Sequence, residues 1–366
     1  MGIQNPKKLT IKIVIYSKIK KASAQLHCLN DFFGVNSSKT LNLKCRLKVM
    51  YMKRAFLFPG QGSQFIGMGQ ELANQFEAAR DVFSEVDDAL GENLSSLMFQ
   101  GDIKELTLTK NAQPAIMAVS IAALRVMCAN GLEIKSIDLF AGHSLGEYSA
   151  LCASGVISLR DTSLILKKRG LAMQRAVPEG QGSMVAVIGM TCEIVNELIS
   201  ISKCNSELIQ VANDNDPSQV VISGQKQEVQ KFIEVLKQKK PKRIIDLPVS
   251  APFHSPLMKP AASTMEAELK KVKLSNPIVP IIQNVDLNVL NSTDGLVDRL
   301  VQQICATVRW RESLIKMVDA FDVGTFFEIG PGKVLAGTVR RTIPQSNIFS
   351  IGLPQQIDEA LENLNE

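Results

Sequence analysis

The segment Gly142-His143-Ser144-Leu145-Gly146 follows directly on the apolar run Ile137-Asp138-Leu139-Phe140-Ala141 and leads into Glu147-Tyr148-Ser149-Ala150-Leu151-Cys152. Read in order, this is a strand, a sharp turn and a helix. Glycine at both ends of a G-x-S-x-G turn removes Cβ atoms that would collide, so the chain reverses tightly and leaves the serine hydroxyl at the tip. A bare G-x-S-x-G also fits an ordinary turn with an idle hydroxyl. The apolar strand before it and the helical run after it point instead to a nucleophile elbow, with Ser144 as the nucleophile.

A chain of 366 residues with 45% apolar residues can build one large or two modest domains. The nearest thing to a membrane span, residues 115–128, contains Arg125 and reads as a buried amphipathic helix, so no membrane partner is expected. The net charge of +5 is unevenly spread: residues 1–52 hold nine Lys, one Arg and one acid, leaving 31 basic and 35 acidic residues in the rest. A body with that balance is not expected to bind nucleic acid. The seven cysteines (Cys28, Cys45, Cys128, Cys152, Cys192, Cys204 and Cys305) form no C-x-x-C pair and no zinc spacing. They fit free thiols in a reducing compartment, and the expected location is cytoplasmic.

Residues 1–52 are Lys-rich, nearly acid-free and lack turn, helix and strand grammar. Three readings compete: an organellar transit peptide, a disordered basic arm, or a stretch upstream of a true start at Met50 or Met52. The last is preferred, because fold signals begin immediately after Met52. Residues 1–52 are therefore expected to stand outside the fold.

Beyond them, residues 55–58 read as a buried strand, 60–64 as a glycine-rich loop, and 76–90, 114–128 and 161–176 as helices. Residues 184–249 then change register. Strands at 184–188, 209–213, 219–223 and 243–249 and helices at 192–201 and 229–238 make β-α-β-β-α-β, the split pattern of a ferredoxin-like unit. The expected architecture is α/β: a large α/β-hydrolase-like body over 53–183 and 250–366, with a ferredoxin-like domain inserted over 184–249. Two body strands, 279–283 and 325–329, and a glycine loop at 330–332 complete it.

Neither glycine loop reads as a nucleotide site. Phe65 stands where G-x-G-x-x-G needs its last glycine, and Val334 stands where a phosphate loop needs Ser or Thr. Close backbone approach to a reacting centre is the better reading of both. Of three histidines, His27 lies in the leader and His143 belongs to the elbow, its side chain expected to point away from Ser144. His254, bracketed by Pro252 and Pro256, is left as general base. Asp214, Asp216 and Asp246 lie between Ser144 and His254 in the chain. The first two read as part of a turn far from the site and the third as mid-strand, so no triad acid emerges.

Taken together, Gly60-Gln61-Gly62-Ser63-Gln64, Gly142-His143-Ser144-Leu145-Gly146-Glu147, Arg169-Gly170, Pro252-Phe253-His254 and Gly330-Pro331-Gly332 closely resemble, in that order, the malonyl-CoA:acyl carrier protein transacylases of fatty-acid synthesis. The resemblance covers the chain from about Lys53 onward. It implies transfer of malonyl from malonyl-CoA to acyl carrier protein through an acyl-serine on Ser144, with His254 as base and no cofactor. It also implies an oxyanion hole from Gln61 and the Leu145 N–H, and a Gln303 main-chain carbonyl that orients His254 in place of an acid. Arg169 would grip the malonyl carboxylate, and Phe253 matches the malonyl-accepting variants. One departure stands beside Gln303: the chain reads Ala306-Thr307-Val308 where the family usually has Asn-Pro before Val. An acidic carrier would dock on some of Lys167, Lys168, Lys239, Lys240, Lys242, Arg243, Arg340 and Arg341. A serine thioesterase or hydrolase would share the elbow and base but need no carboxylate-gripping arginine. An inactive carrier-docking scaffold would not need Ser144 and His254 at all.

Overall fold

In the computed structural model, residues 53–249 and 251–365 are described, and the segment 1–52 lies outside the described residues. Among the described residues, ten strands form two sheets: β1 (Lys53–Phe58), β2 (Leu139–Gly142), β3 (Gly182–Ile188), β4 (Ile209–Asp216), β5 (Gln219–Gln225), β6 (Arg243–Asp246), β7 (Ile281–Ile282), β8 (Val289–Leu290), β9 (Val323–Ile329) and β10 (Asn347–Ile351). The large sheet runs β10-β9-β1-β2-β7-β8, parallel except at β8, and the small one runs β4-β5-β3-β6, antiparallel throughout.

The central strands of the large sheet are apolar because both faces are covered. Phe56 stacks on Phe140 (centroids 5.6 Å apart, rings 5° from parallel) and meets Phe327 edge-on at 5.6 Å. Helix Thr109–Ala129 is nearly all buried against this core. It starts earlier than the pattern predicts, and over 21 residues it is long and apolar enough to cross a membrane, yet here it is a core helix. Helix Leu159–Arg175, capped by Ser158, packs against it. The two backbones come so close at Gly170 that a Cβ there would lie 2.5 Å from the Thr109 carbonyl oxygen. That approach carries Arg169 inward.

The small sheet has the ferredoxin-like strand order, with helices Cys192–Ile201 and Lys226–Gln238 on one face over a core including Val187, Val211, Ile222 and Phe232. Its first strand starts at Gly182, two residues ahead of the expected 184. Expected strand 243–249 stops at Asp246, short of Pro248, and expected 279–283 shrinks to two residues beside Pro280, which lacks a ladder N–H. The largest revision is at β4. Residues 214–216 read as a turn, but strand pairing continues to Asp216 through two irregularities. Bulges re-aim side chains there, and the Asp214 N–H bonds the Val308 carbonyl of the large body at 3.0 Å. Strand β10 and helix Pro354–Asn365 were not visible in the pattern at all.

Candidate active site

Strand β2 ends at Gly142 and helix Leu145–Ala153 begins three residues later. Ser144 between them has φ 55° and ψ −108°, a costly backbone for a residue with a Cβ. The two glycines explain how so tight a turn fits. A Cβ on Gly142 would sit 1.9 Å from the Gly146 carbonyl carbon, and one on Gly146 would sit 2.1 Å from the Phe58 oxygen. Asn284 clamps the turn, accepting the Ser144 N–H at 2.8 Å and donating to the Gly142 carbonyl at 2.7 Å.

Ser144 Oγ lies 2.7 Å from His254 Nε2. His254 Nδ1 lies 2.8 Å from the Gln303 main-chain oxygen. A carbonyl can only accept, so the ring proton sits on Nδ1 and bare Nε2 accepts the serine O–H. His254 itself has φ 54°, held by Gln210 Nε2 donating to its carbonyl at 2.6 Å. Burial first, then the positive charge of Arg169, pull its pKa down to about 3, so the ring is neutral and free to take a proton.

Arg169 is 1% exposed. Its Nη1 donates to Gln113 Oε1 at 2.8 Å, and its Nη2 donates to Gln303 Oε1 at 2.9 Å and to Ser144 Oγ at 3.2 Å. No carboxylate pairs with it among the described residues. A cavity of about 180 Å³ opens here, lined among others by Gln61, Gln113, Ser144, Leu145, Arg169, Met184, Asn213, Val249, Phe253 and His254. The small sheet, through Met184 and Asn213, and the loops and helices of the large body therefore both supply walls. Gln61 reaches Thr109 Oγ1 at 3.4 Å. Leu145, as the first residue of its helix, has no intrahelical acceptor for its N–H.

All seven residues singled out from the sequence (Gln61, Ser144, Leu145, Arg169, Phe253, His254 and Gln303) thus lie around one cavity or, for Gln303, directly behind it. None of the three aspartates touches His254. Asp214 pairs with Arg311 at 2.9 Å, Asp216 with Arg341 at 2.8 Å, and Asp246 is exposed. The expectation that residues 214–216 sit far from the site needs correction for their neighbours. Asn213 lines the cavity and Asn215 Oδ1 meets His143 Nε2 at 2.8 Å, so β4 grips the elbow through the His143 side chain. Asn284, Gln113 and Gln210 went unnoticed in the sequence because single amides carry no spacing signal. Glu147 stands out in the sequence only as the last residue of the Gly142–Glu147 run. Of the candidate docking charges, Lys167 pairs with Glu92, Lys168 with Glu268 and Arg341 with Asp216.

The fold and the joined Ser144 and His254 define the class: an α/β protein with a serine hydroxyl at a strand–helix turn paired to a neutral imidazole. Residues 55–359 match the acyl transferase domain family. The chain is 45% identical over 314 residues to the malonyl CoA-acyl carrier protein transacylase of Bacillus subtilis (strain 168), covering 86% of this chain and 98% of that one. The protein of the same name from Escherichia coli (strain K12) is 39% identical over 308 residues, covering 84% and 98%. Among solved structures, the acyl-carrier-protein-S-malonyltransferase of Bartonella henselae superposes with a TM-score of 0.83 at 50% identity, covering 86% of this chain and all of that one. A type II PKS acyl-carrier protein in complex with its malonyl-transacylase superposes with a TM-score of 0.81 at 37% identity, covering 85% and 99%. The chain belongs to the malonyl-CoA:acyl carrier protein transacylase family of acyl transferases.

Proposed function

We propose that this chain moves a malonyl group from malonyl-CoA to the phosphopantetheine thiol of acyl carrier protein through an ester on Ser144. The observation that carries the reading is the 2.7 Å Ser144–His254 contact beside a buried arginine that has no carboxylate partner among the described residues. The names of the relatives and the carrier-bound solved complex support the same substrate pair.

Ser144 Oγ attacks the thioester carbonyl while its proton passes to His254 Nε2. The Gln303 carbonyl, bonded to Nδ1–H, steadies the imidazolium that forms and does the work of a triad acid. Negative charge grows on the carbonyl oxygen, where the Leu145 N–H and Gln61 form the oxyanion hole. Losing one such donor costs about 3 kcal/mol of barrier. The C–S bond breaks and His254 gives its proton to the departing CoA thiolate. The carrier thiol then gives its proton to His254, attacks the ester, and the C–O bond breaks as the proton returns to Ser144. These steps call for no cofactor, and they predict ping-pong kinetics.

Arg169 holds the malonyl carboxylate, which suits a planar fork of donors, and Phe253 closes the acyl pocket. A hydrolase needs no such cation, which favours the transferase reading. Intact mass after mixing with malonyl-CoA tests it. One malonyl group is expected on the wild type and none on Ser144→Ala, while Arg169→Ala should take malonyl and acetyl with little preference. An unlabelled wild type, or rapid malonyl-CoA hydrolysis without carrier, would sink the proposal.

A further inference from the structure

Among the described residues, Arg169 is a buried positive charge with only neutral partners. Its fork ends on the amide oxygens of Gln113 and Gln303, its guanidinium carbon lies 5.3 Å from the Tyr148 ring centre, and its buried Nε has no partner. Burying a cation without an anion is strongly unfavourable, so a counter-charge belongs close by.

Glu147 is 2% exposed. Its Oε2 accepts from Gln303 Nε2 at 2.8 Å and from the Asn284 N–H at 3.1 Å, and Gln283 Nε2 lies 3.4 Å from Oε1. Each of these partners is a donor. That suits a carboxylate, while the unpartnered Gln283 Oε1 on the same amide would accept from the protonated acid once that amide turned. The Gln303 amide therefore stands between the two charges, nitrogen toward Glu147 and oxygen toward Arg169. Reversing it would set NH₂ against guanidinium and oxygen against carboxylate, so the flanking charges dictate its orientation. The main-chain oxygen of the same residue holds His254. A direct ion pair would fill the arginine fork, whereas the amide spacer keeps the compensation and leaves the fork free of any protein carboxylate.

We infer that Glu147 is the counter-charge of Arg169, acting through the Gln303 amide, and that it sets how strongly the site prefers an acyl group bearing its own carboxylate. This positioning role rests on the malonyl-transfer reading above. An ionised Glu147 cancels part of the field that draws the substrate carboxylate to Arg169. Remove that charge and the substrate carboxylate becomes the only anion facing the guanidinium, while an acetyl group gains nothing. Burial pushes Glu147 up to about 7, against the pull of its amide donors and of Arg169. The other titratable groups around it hold one state near neutral pH. Tyr148 is pushed up to about 12 and His254 pulled down to about 3, both by burial first, and Arg169 stays charged although burial lowers its pKa.

The test is kcat/KM for malonyl-CoA and acetyl-CoA with the full chain between about pH 6 and 8.5, where the malonyl carboxylate stays ionised. In the wild type the malonyl-to-acetyl ratio should rise as the pH falls through neutrality. In Glu147→Gln the ratio should be about three- to tenfold higher at about pH 8, flat with pH, and altered through KM for malonyl-CoA. A purely structural role would lower both substrates alike and leave the ratio unchanged, which overturns the inference. The wild-type series needs no variant, so a flat wild-type ratio overturns it even if Glu147→Gln fails to fold. Absence of any malonyl adduct on the wild type would instead defeat the functional reading. A malonylated wild type with a flat ratio defeats only the role given to Glu147.

Discussion

His254 Nδ1 faces a carbonyl and His254 Nε2 faces a hydroxyl, both within 2.8 Å, so one tautomer is selected without any acid. The same burial has a thermodynamic consequence. In the unfolded chain His254 binds a proton as the pH falls below its ordinary 6.5, whereas the folded ring resists until about 3. The unfolded state then holds more protons, so this contribution to stability is complete above 6.5 and is lost as the pH falls through that window. Glu147 has the opposite sign. Folded, it keeps its proton up to about 7, whereas unfolded it loses it near 4.5, so its contribution is present below 4.5 and lost as the pH rises through 7. We expect His254→Gln to flatten the acid-side fall in urea midpoint between about pH 6.5 and 5, and Glu147→Gln to leave that fall in place. Acylation by acetyl-CoA, which does not engage the arginine charge, should show no limb near 6.5. A limb there would mean that the ring is more exposed than its surroundings imply.

At the scale of elements, the elbow depends on backbone contact between β1, β2 and the helix Leu145–Ala153. Gly146 has an ordinary helical backbone, yet its Cβ would enter the Phe58 carbonyl at 2.1 Å. Gly91 is the converse, with φ 63° and open space around it. Gly146→Ala should therefore cost more than about 3 kcal/mol or prevent folding, while Gly91→Ala should cost about 1 kcal/mol. Denaturant midpoints for both variants check the contrast, and equal losses would contradict it. The elbow was legible in the sequence because its requirement is local: apolar strand, small residue, serine, small residue, helix. The continuation of β4 was not legible. Asp214-Asn215-Asp216-Pro217-Ser218 has turn composition, and only pairing with Arg311, Arg341 and the Val308 backbone draws its first residues into the sheet.

For the whole molecule, the cavity exists because the inserted sheet presses onto the large body. Asn213, Met184, Leu247, Pro248 and Val249 come from or beside the small sheet, and Ser144, Arg169 and His254 from the large body. Lys239, Lys240, Lys242 and Arg243 are exposed where β6 begins, form no ion pairs among the described residues, and belong to the chain that runs on to Val249 at the cavity wall. An acidic carrier placed on them would have a cationic approach to the cavity. Lys240→Glu with Lys242→Glu should raise KM for the carrier about tenfold at low salt, less at high salt, and leave self-acylation by malonyl-CoA unchanged. Transfer that ignores both charge and salt would move docking elsewhere.

The amino-acid order alone determined the α/β body, the inserted β-α-β-β-α-β unit, the elbow at Ser144 and the singling out of His254, since each is written in nearby residues through periodicity, glycine spacing or proline brackets. The family resemblance implied a Gln303 carbonyl beside His254, but tertiary structure alone decided that Asn284 clamps the turn and that Glu147 and Arg169 face one amide from opposite ends. Those partners lie far apart in the chain, as Ser144 and Asn284 do by 140 residues. No local pattern encodes such a meeting, and only the packing of one sheet, its helices and its inserted neighbour brings it about.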